Sequence, residues 1–229
     1  MELHQIQTAL NSSNSQDRLK AVTALKDYSS KDAVPLLMSK INDPDFLVRS
    51  FVAMGLGRKQ SPETFPALLE LLKRDPDPNV RSEAANSLSY SGQVAISHLV
   101  IAFHQDDHWL LRRSIIAALA DLGHPEALLE VCLCGLESDD LTIVEASIEG
   151  LASLTNTRKQ QAALETLLPL IASPEWRIRR KVAWALQKFA DSEAAQSALQ
   201  KLSQDEDHRV VAAVLENRLS KDAQRVGES

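Results

Sequence analysis

Apolar residues along this chain fall in short runs with helical spacing, cut by polar turns. Runs at 33–40, 64–73, 94–103, 125–136 and 162–171 read as one set of helices. Each is followed by a turn: Asn42-Asp43-Pro44-Asp45, Asp75-Pro76-Asp77-Pro78, Gln105-Asp106-Asp107-His108, Ser138-Asp139-Asp140 or Ser173-Pro174-Glu175. Asp and Ser cap helix N-termini, and Pro stops one helix while fitting the first turn of the next. A second helix then begins, as in the run Val48 to Leu56. Numbered from an arginine as zero, its positions +3, +4 and +7 are apolar. They are Val52, Ala53, Leu56; Ala84, Ala85, Leu88; Ile115, Ile116, Leu119; and Val182, Ala183, Leu186. Such spacing makes a buried stripe on one helical face.

The stripe belongs to a longer period. An acid, an arginine four residues on and a leucine seven further recur as Asp45–Arg49–Leu56, Asp77–Arg81–Leu88 and Glu175–Arg179–Leu186. His108–Arg112–Leu119 and Asn14–Arg18–Leu25 are variants. The arginine slot falls at Arg18, Arg49, Arg81, Arg112, Val144, Arg179 and Val211, in steps of 31, 32, 31, 32, 35 and 32 residues. A fixed period of this length means stacked helical hairpins. The expectation is an all-α, right-handed α-solenoid of about seven hairpins over 1–220, with a polar, fraying tail at 221–229. Acid and arginine four apart are helical neighbours and are expected to pair, within or between repeats.

The unit resembles the HEAT-like repeat of the phycobilisome lyases, whose core is Asp-x-x-Val-Arg. Val48-Arg49 and Val80-Arg81 match it fully, Leu111-Arg112 and Ile178-Arg179 conservatively. Val144 and Val211 depart from it. The resemblance implies a protein partner, such as a phycobiliprotein or a second lyase-like subunit. It also implies a link to photosynthetic machinery. Its sharper form is a bilin lyase-like or chromophore-detaching protein that holds phycocyanobilin, a linear tetrapyrrole. A HEAT enzyme of the same fold, deoxyhypusine hydroxylase, carries paired His-Glu dipeptides around two irons. Here His4, His98, His104, His108, His124 and His208 are followed by Gln, Leu, Gln, Trp, Pro and Arg, so that reading is set aside and no metal site is expected.

Composition narrows the field. Net charge is −6 and basic residues form no block, which argues against nucleic-acid backbone binding. Cys132 and Cys134 sit two apart on one helix, a poor geometry for a disulfide, and read as two buried thiols in a reducing compartment. The first residues lack a charged-then-apolar leader and no run of about 18 apolar residues exists. The expected location is the cytoplasm, or a plastid stroma. Neither a phosphate loop nor a Gly-x-Ser-x-Gly elbow occurs; Gly55 and Gly57 read as turn glycines. No catalytic residue is assigned, no cofactor is required, and lyase activity is only what the resemblance implies.

The informative positions are where the period is decorated. His108 takes an acid slot, as a cap or, with His104, as a metal- or tetrapyrrole-binding corner. The residue after the acid slot is aromatic in alternate repeats: Phe46, Trp109 and Trp176. These rings read either as first-turn packing or as anchors for a partner. Flank positions +1 and +5 turn from Arg113 to Glu145 and Glu149, then to Arg180 and Trp184. Arg177, Arg179, Arg180 and Lys181 cluster beside Trp176 and Trp184. That cluster reads as a solvated face, or as a site for an acidic protein surface or bilin propionates. The partner- or bilin-binding set is therefore His108, Trp109, Arg113, Glu145, Glu149, Trp176, Arg177, Arg180 and Trp184. The leading expectation is a binding scaffold or assembly factor.

Overall fold

The computed structural model describes residues 1–59 and 61–216; the expected tail at 221–229 lies outside them. Among the described residues there are helices and no strand. Contacts gather the chain into two compact units, Met1–Gly123 and His124–Ser229.

The first unit holds α1 (Leu3–Leu10), α2 (Ser15–Ala24), α3 (Ser30–Met38), α4 (Phe46–Lys59), α5 (Thr64–Arg74), α6 (Pro78–Ser89), α7 (Ile96–Gln105) and α8 (Trp109–Asp121). Successive helices pair as hairpins, and the second members, α2, α4, α6 and α8, lie side by side. The second unit holds α9 (Pro125–Leu136), α10 (Leu141–Ser153), α11 (Gln160–Leu167), α12 (Trp176–Leu186) and α13 (Glu193–Leu202), with residues 208–216 also helical. There α10 pairs with α9 and packs along α12. These are α-solenoid repeats, and every +3, +4 and +7 residue named above is buried.

Local chemistry sets the helix ends. Ser29 starts α3 ahead of the expected position, its hydroxyl accepting the Asp32 amide at 3.3 Å. Pro169 has no amide to donate back along the chain, and there the helix tightens to a 3-10 turn over Leu168–Ala172. The acid slots act as caps. Asp45, Asp77, Asp140 and Asp207 accept the amide two residues on at 2.7–2.9 Å, and Glu175 does so at 3.3 Å.

The arginines do not pair with those capping acids. Each reaches forward to an aspartate of the next turn, six residues before the following slot. Arg18 binds Asp43, Arg49 binds Asp75, and Arg179 binds Asp205, each through Nε and Nη2 at 2.7–2.9 Å. Arg81 binds Asp106 through Nε at 2.8 Å. Nη1 of the same arginine donates back to carbonyls of its own turn, as Arg49 does to Asp43 and Arg179 to Ser173, both at 2.8 Å. The acceptor aspartate in turn takes the amide two residues on, as Asp75 does from Asp77 at 2.9 Å. One guanidinium thus ties two turns, while the neighbouring acid is consumed in capping. The register would give Arg112 position 138, which is serine. Arg112 donates instead to the carbonyls of Phe103 and Asp106, at 3.2 and 2.9 Å.

Gly55 and Gly57 are not turn residues; both lie inside α4. A Cβ on Gly57 would stand 2.6 Å from Ser87 Cβ on α6, so glycine here permits close helix approach. Gly135 of α9 plays the same part against Ser147 of α10, where a Cβ would meet the hydroxyl oxygen at 2.2 Å.

Candidate functional site

In the first unit, His108 is a cap: its Nδ1 accepts the Leu110 amide at 3.3 Å. The adjacent Trp109 ring lies nearly parallel to the imidazole, with centroids 6.1 Å apart. Trp109 is exposed, as is Arg113 one turn along α8. His104 stands at the end of α7 against the Phe103 ring. Among the described residues no group of three His, Cys, Asp or Glu side chains is placed to hold a metal.

The second unit assembles a denser cluster, and α12 builds most of it. The buried stripe of Ile178, Val182 and Leu186 fixes the helix's rotation. That rotation turns Trp176, Arg180 and Trp184 outward at helical spacing. Guanidinium and indole alternate. Arg180 lies 5.5 Å from the Trp176 centroid and 5.6 Å from that of Trp184. Arg177 approaches Trp176 at 5.1 Å, and Arg209, which the sequence reading missed, lies 3.3 Å from the same centroid. A cation over an aromatic face is attracted by the ring quadrupole, which holds these long side chains in place. Trp176 is accordingly half-buried, whereas Trp184 remains 44% exposed.

Charge around the rings is mostly matched. Lys181 sits 5.6 Å from the Trp184 centroid and bonds Glu149 on α10. Arg177 lies 3.7 Å from Glu175, and Arg209 pairs with Asp207 at 2.7 Å. The Arg209 hydrogen bond is the main reason the Asp207 carboxyl is held far below the usual carboxylate range. Arg179 is buried and committed to Asp205, whose carboxyl that bond also lowers. Among the described residues, Arg180 and Lys188 have no carboxylate partner. Glu145, half-buried, lies one turn before Glu149 on α10.

Between α10 and α12 runs a groove of about 450 Å³. Ile148, Ala152 and Ala185 give it an apolar floor, and Glu149, Lys181, Trp184 and Lys188 form its rim. Six of the nine positions singled out in the sequence therefore lie in the second unit around α10 and α12. His108, Trp109 and Arg113 form a separate group in the first unit. Lys188 was missed because it lies past the α-helix proper, in the 3-10 turn Gln187–Phe189 that continues it.

The HEAT repeats profile matches residues 4–89, 37–120 and 145–220, well over half the chain. A deoxyhypusine hydroxylase of Eremothecium gossypii is 33% identical over 124 residues, which is 52% of this chain and 38% of the enzyme. This chain thus spans well under half the length of that curated relative. Among solved structures, Escherichia coli YibA superposes with a TM-score of 0.67 at 15% identity, covering 96% of this chain and 87% of that one. The complex of CpcE and CpcF of phycocyanin lyase from Nostoc sp. PCC7120 gives 0.55 at 19% identity, covering 94% of each chain. At these identities the likeness is one of fold. No helix among the described residues is long and apolar enough to cross a membrane.

Proposed function

The chain belongs to the HEAT-repeat family, and on that premise we propose that it is a protein-binding repeat module whose contact surface is the α10–α12 face. One observation carries this reading: an exposed tryptophan, Trp184, held between Arg180 and Lys181 beside an apolar-floored groove. Exposed tryptophan set among arginines is what dominant contact residues are made of. The likeness in fold to the complex of CpcE and CpcF of phycocyanin lyase supports a protein partner, and phycobiliprotein machinery is one context to test.

The di-iron chemistry of deoxyhypusine hydroxylase does not fit these residues. The chain has no His-Glu dipeptide, and among the described residues no three ligating side chains converge.

Affinity capture from a lysate of the source cells tests the proposal, comparing wild type with the Trp184→Ala, Arg180→Glu double variant. A stoichiometric protein held by wild type and lost by the variant is expected. Equal capture by both would overturn the siting, and no stoichiometric protein would overturn the reading. A second reading uses the same geometry: guanidinium suits the propionates of a linear tetrapyrrole and indole suits its rings. Titration with phycocyanobilin decides it, since a protein without induced visible dichroism does not hold the pigment.

A further inference from the structure

The geometry points to an acidic, extended peptide segment as the occupant of the α10–α12 groove, reading acid–x–apolar–x–acid. The inference rests on the protein-binding reading of this face and specifies the partner's chemistry. Arg180, Trp184 and Lys188 stand at i, i+4 and i+8: Trp184 and Lys188 line the groove, and Arg180 lies beside it, 5.6 Å from the Trp184 ring centroid. Every other cation of the cluster has an acid partner: Arg177, Arg179, Lys181 and Arg209. Among the described residues, the two positive charges without an acid partner therefore bracket the exposed indole, in a chain whose net charge is −6.

Spacing selects the ligand's form. Six residues of α-helix and two of 3-10 turn separate Arg180 from Lys188 by about 13 Å. An extended chain covers about 13 Å in four residues. Its side chains at i, i+2 and i+4 point the same way. Two carboxylates four apart then meet Arg180 and Lys188 while the residue midway between them lies at Trp184. Below that residue is the floor of Ile148, Ala152 and Ala185, and a volume of about 450 Å³ accepts an aliphatic side chain with part of its backbone. A helical ligand would need acids about eight apart to span the same distance. Glu149, bonded to Lys181 on the rim, repels an acid placed at the centre, which favours an apolar middle residue.

The test uses the full chain and fluorescein-labelled peptides in anisotropy titrations. The probes are a peptide containing Asp–Ser–Leu–Ser–Asp, its Asn–Ser–Leu–Ser–Asn analogue and an isomer with Leu moved by one residue. The acidic probe is expected to bind with Kd below about 100 μM, and more weakly as NaCl rises from about 50 to about 500 mM. The Asn analogue and the Arg180→Gln, Lys188→Gln variant should each lose about tenfold, the shifted isomer several-fold, and Trp184→Ala about tenfold or more. Trp184 and Lys188 are exposed and Arg180 is half-buried, and unchanged far-UV dichroism verifies the fold. Equal binding of the Asp and Asn probes, or binding indifferent to the Gln variant, overturns the inference. A selection of random peptides on wild type and on Trp184→Ala separates the two levels. Trp184-dependent peptides without acids overturn the acidic pattern and keep the protein-binding reading. No Trp184-dependent peptide at all overturns both.

Discussion

Consider Asp75→Ala. The Asp75 side chain is 3% exposed and its partner Arg49 12% exposed, so the pair is largely removed from water. The carboxylate accepts from Arg49 Nε at 2.7 Å, from Nη2 at 2.9 Å and from the Asp77 amide at 2.9 Å. Removing it leaves a buried guanidinium short of two acceptors and frees a turn amide. Breaking a buried pair from one side costs about 3–5 kcal/mol. Because Arg49 keeps its bond to the Asp43 carbonyl, about 3 kcal/mol is expected here. Asp45→Ala is the contrast. Asp45 is the acid nearest Arg49 in helical register, yet it accepts the Leu47 amide, and its loss should cost about 1 kcal/mol. Urea unfolding followed by far-UV dichroism, with the slope checked for constancy, measures both. Each is then combined with Arg49→Met, which keeps the aliphatic packing. The Asp75–Arg49 cycle should give a coupling of about 2 kcal/mol and the Asp45–Arg49 cycle less than about 0.5 kcal/mol. The reasoning fails if the second coupling exceeds the first. It fails also if Asp75→Ala costs no more than the roughly 1 kcal/mol of an exposed pair.

Three further outcomes follow from the same structure. Gly57→Ala should destabilise by about 1–3 kcal/mol in urea, because its Cβ would stand 2.6 Å from Ser87 Cβ, and Ser87→Gly should restore much of the loss. Burial raises the Asp43 carboxyl, but the Arg18 hydrogen bonds and the Asp45 amide more than offset it, so its folded value lies below the ordinary one. Asp205 is lowered mainly by Arg179. Their stabilisation is therefore complete above the unfolded value of about 3.9 and is lost as pH falls through the lowered folded values. Asp43→Asn and Asp205→Asn should flatten that acid limb of the stability curve. Burial pushes the Cys132 thiol up to about 12, so native protein at pH 8 should release one equivalent with a thiol reagent, from half-exposed Cys134, and two in denaturant.

The repeat was legible because caps, apolar stripe and arginine recur within one hairpin, and local chemistry writes them directly into sequence. The arginine's partner was not read. The nearest acid competes for the helix amides and wins, since the Asp45 side chain already faces its own N-terminus. A signal was present: Asp43, Asp75, Asp106 and Asp205 form a second period, six residues before each following slot. Gly57 was misassigned because a glycine required by a neighbouring helix looks like a turn glycine until the neighbour is known. Trp184 and Arg180 were readable as flank positions; Arg209 over Trp176 depends on how a later helix is laid against α12.

The arginine links also bear on how the array melts. In a stacked-repeat protein, stability is each repeat's own contribution plus a nearest-neighbour term, and each Arg–Asp link is a piece of that second term. Three links join consecutive repeats between residues 18 and 106. Within the second unit, valine at 144 and serine at 173 leave the junction of α10 with α12 without one, while Arg179 and Asp205 supply it at the next. Residues 1–120 should behave as one cooperative block, and within the second unit the α9–α10 hairpin should exchange its amide hydrogens faster than α12. The sequence thereby encodes, beside a stacking pattern, an uneven distribution of the bonds that make stacking cooperative.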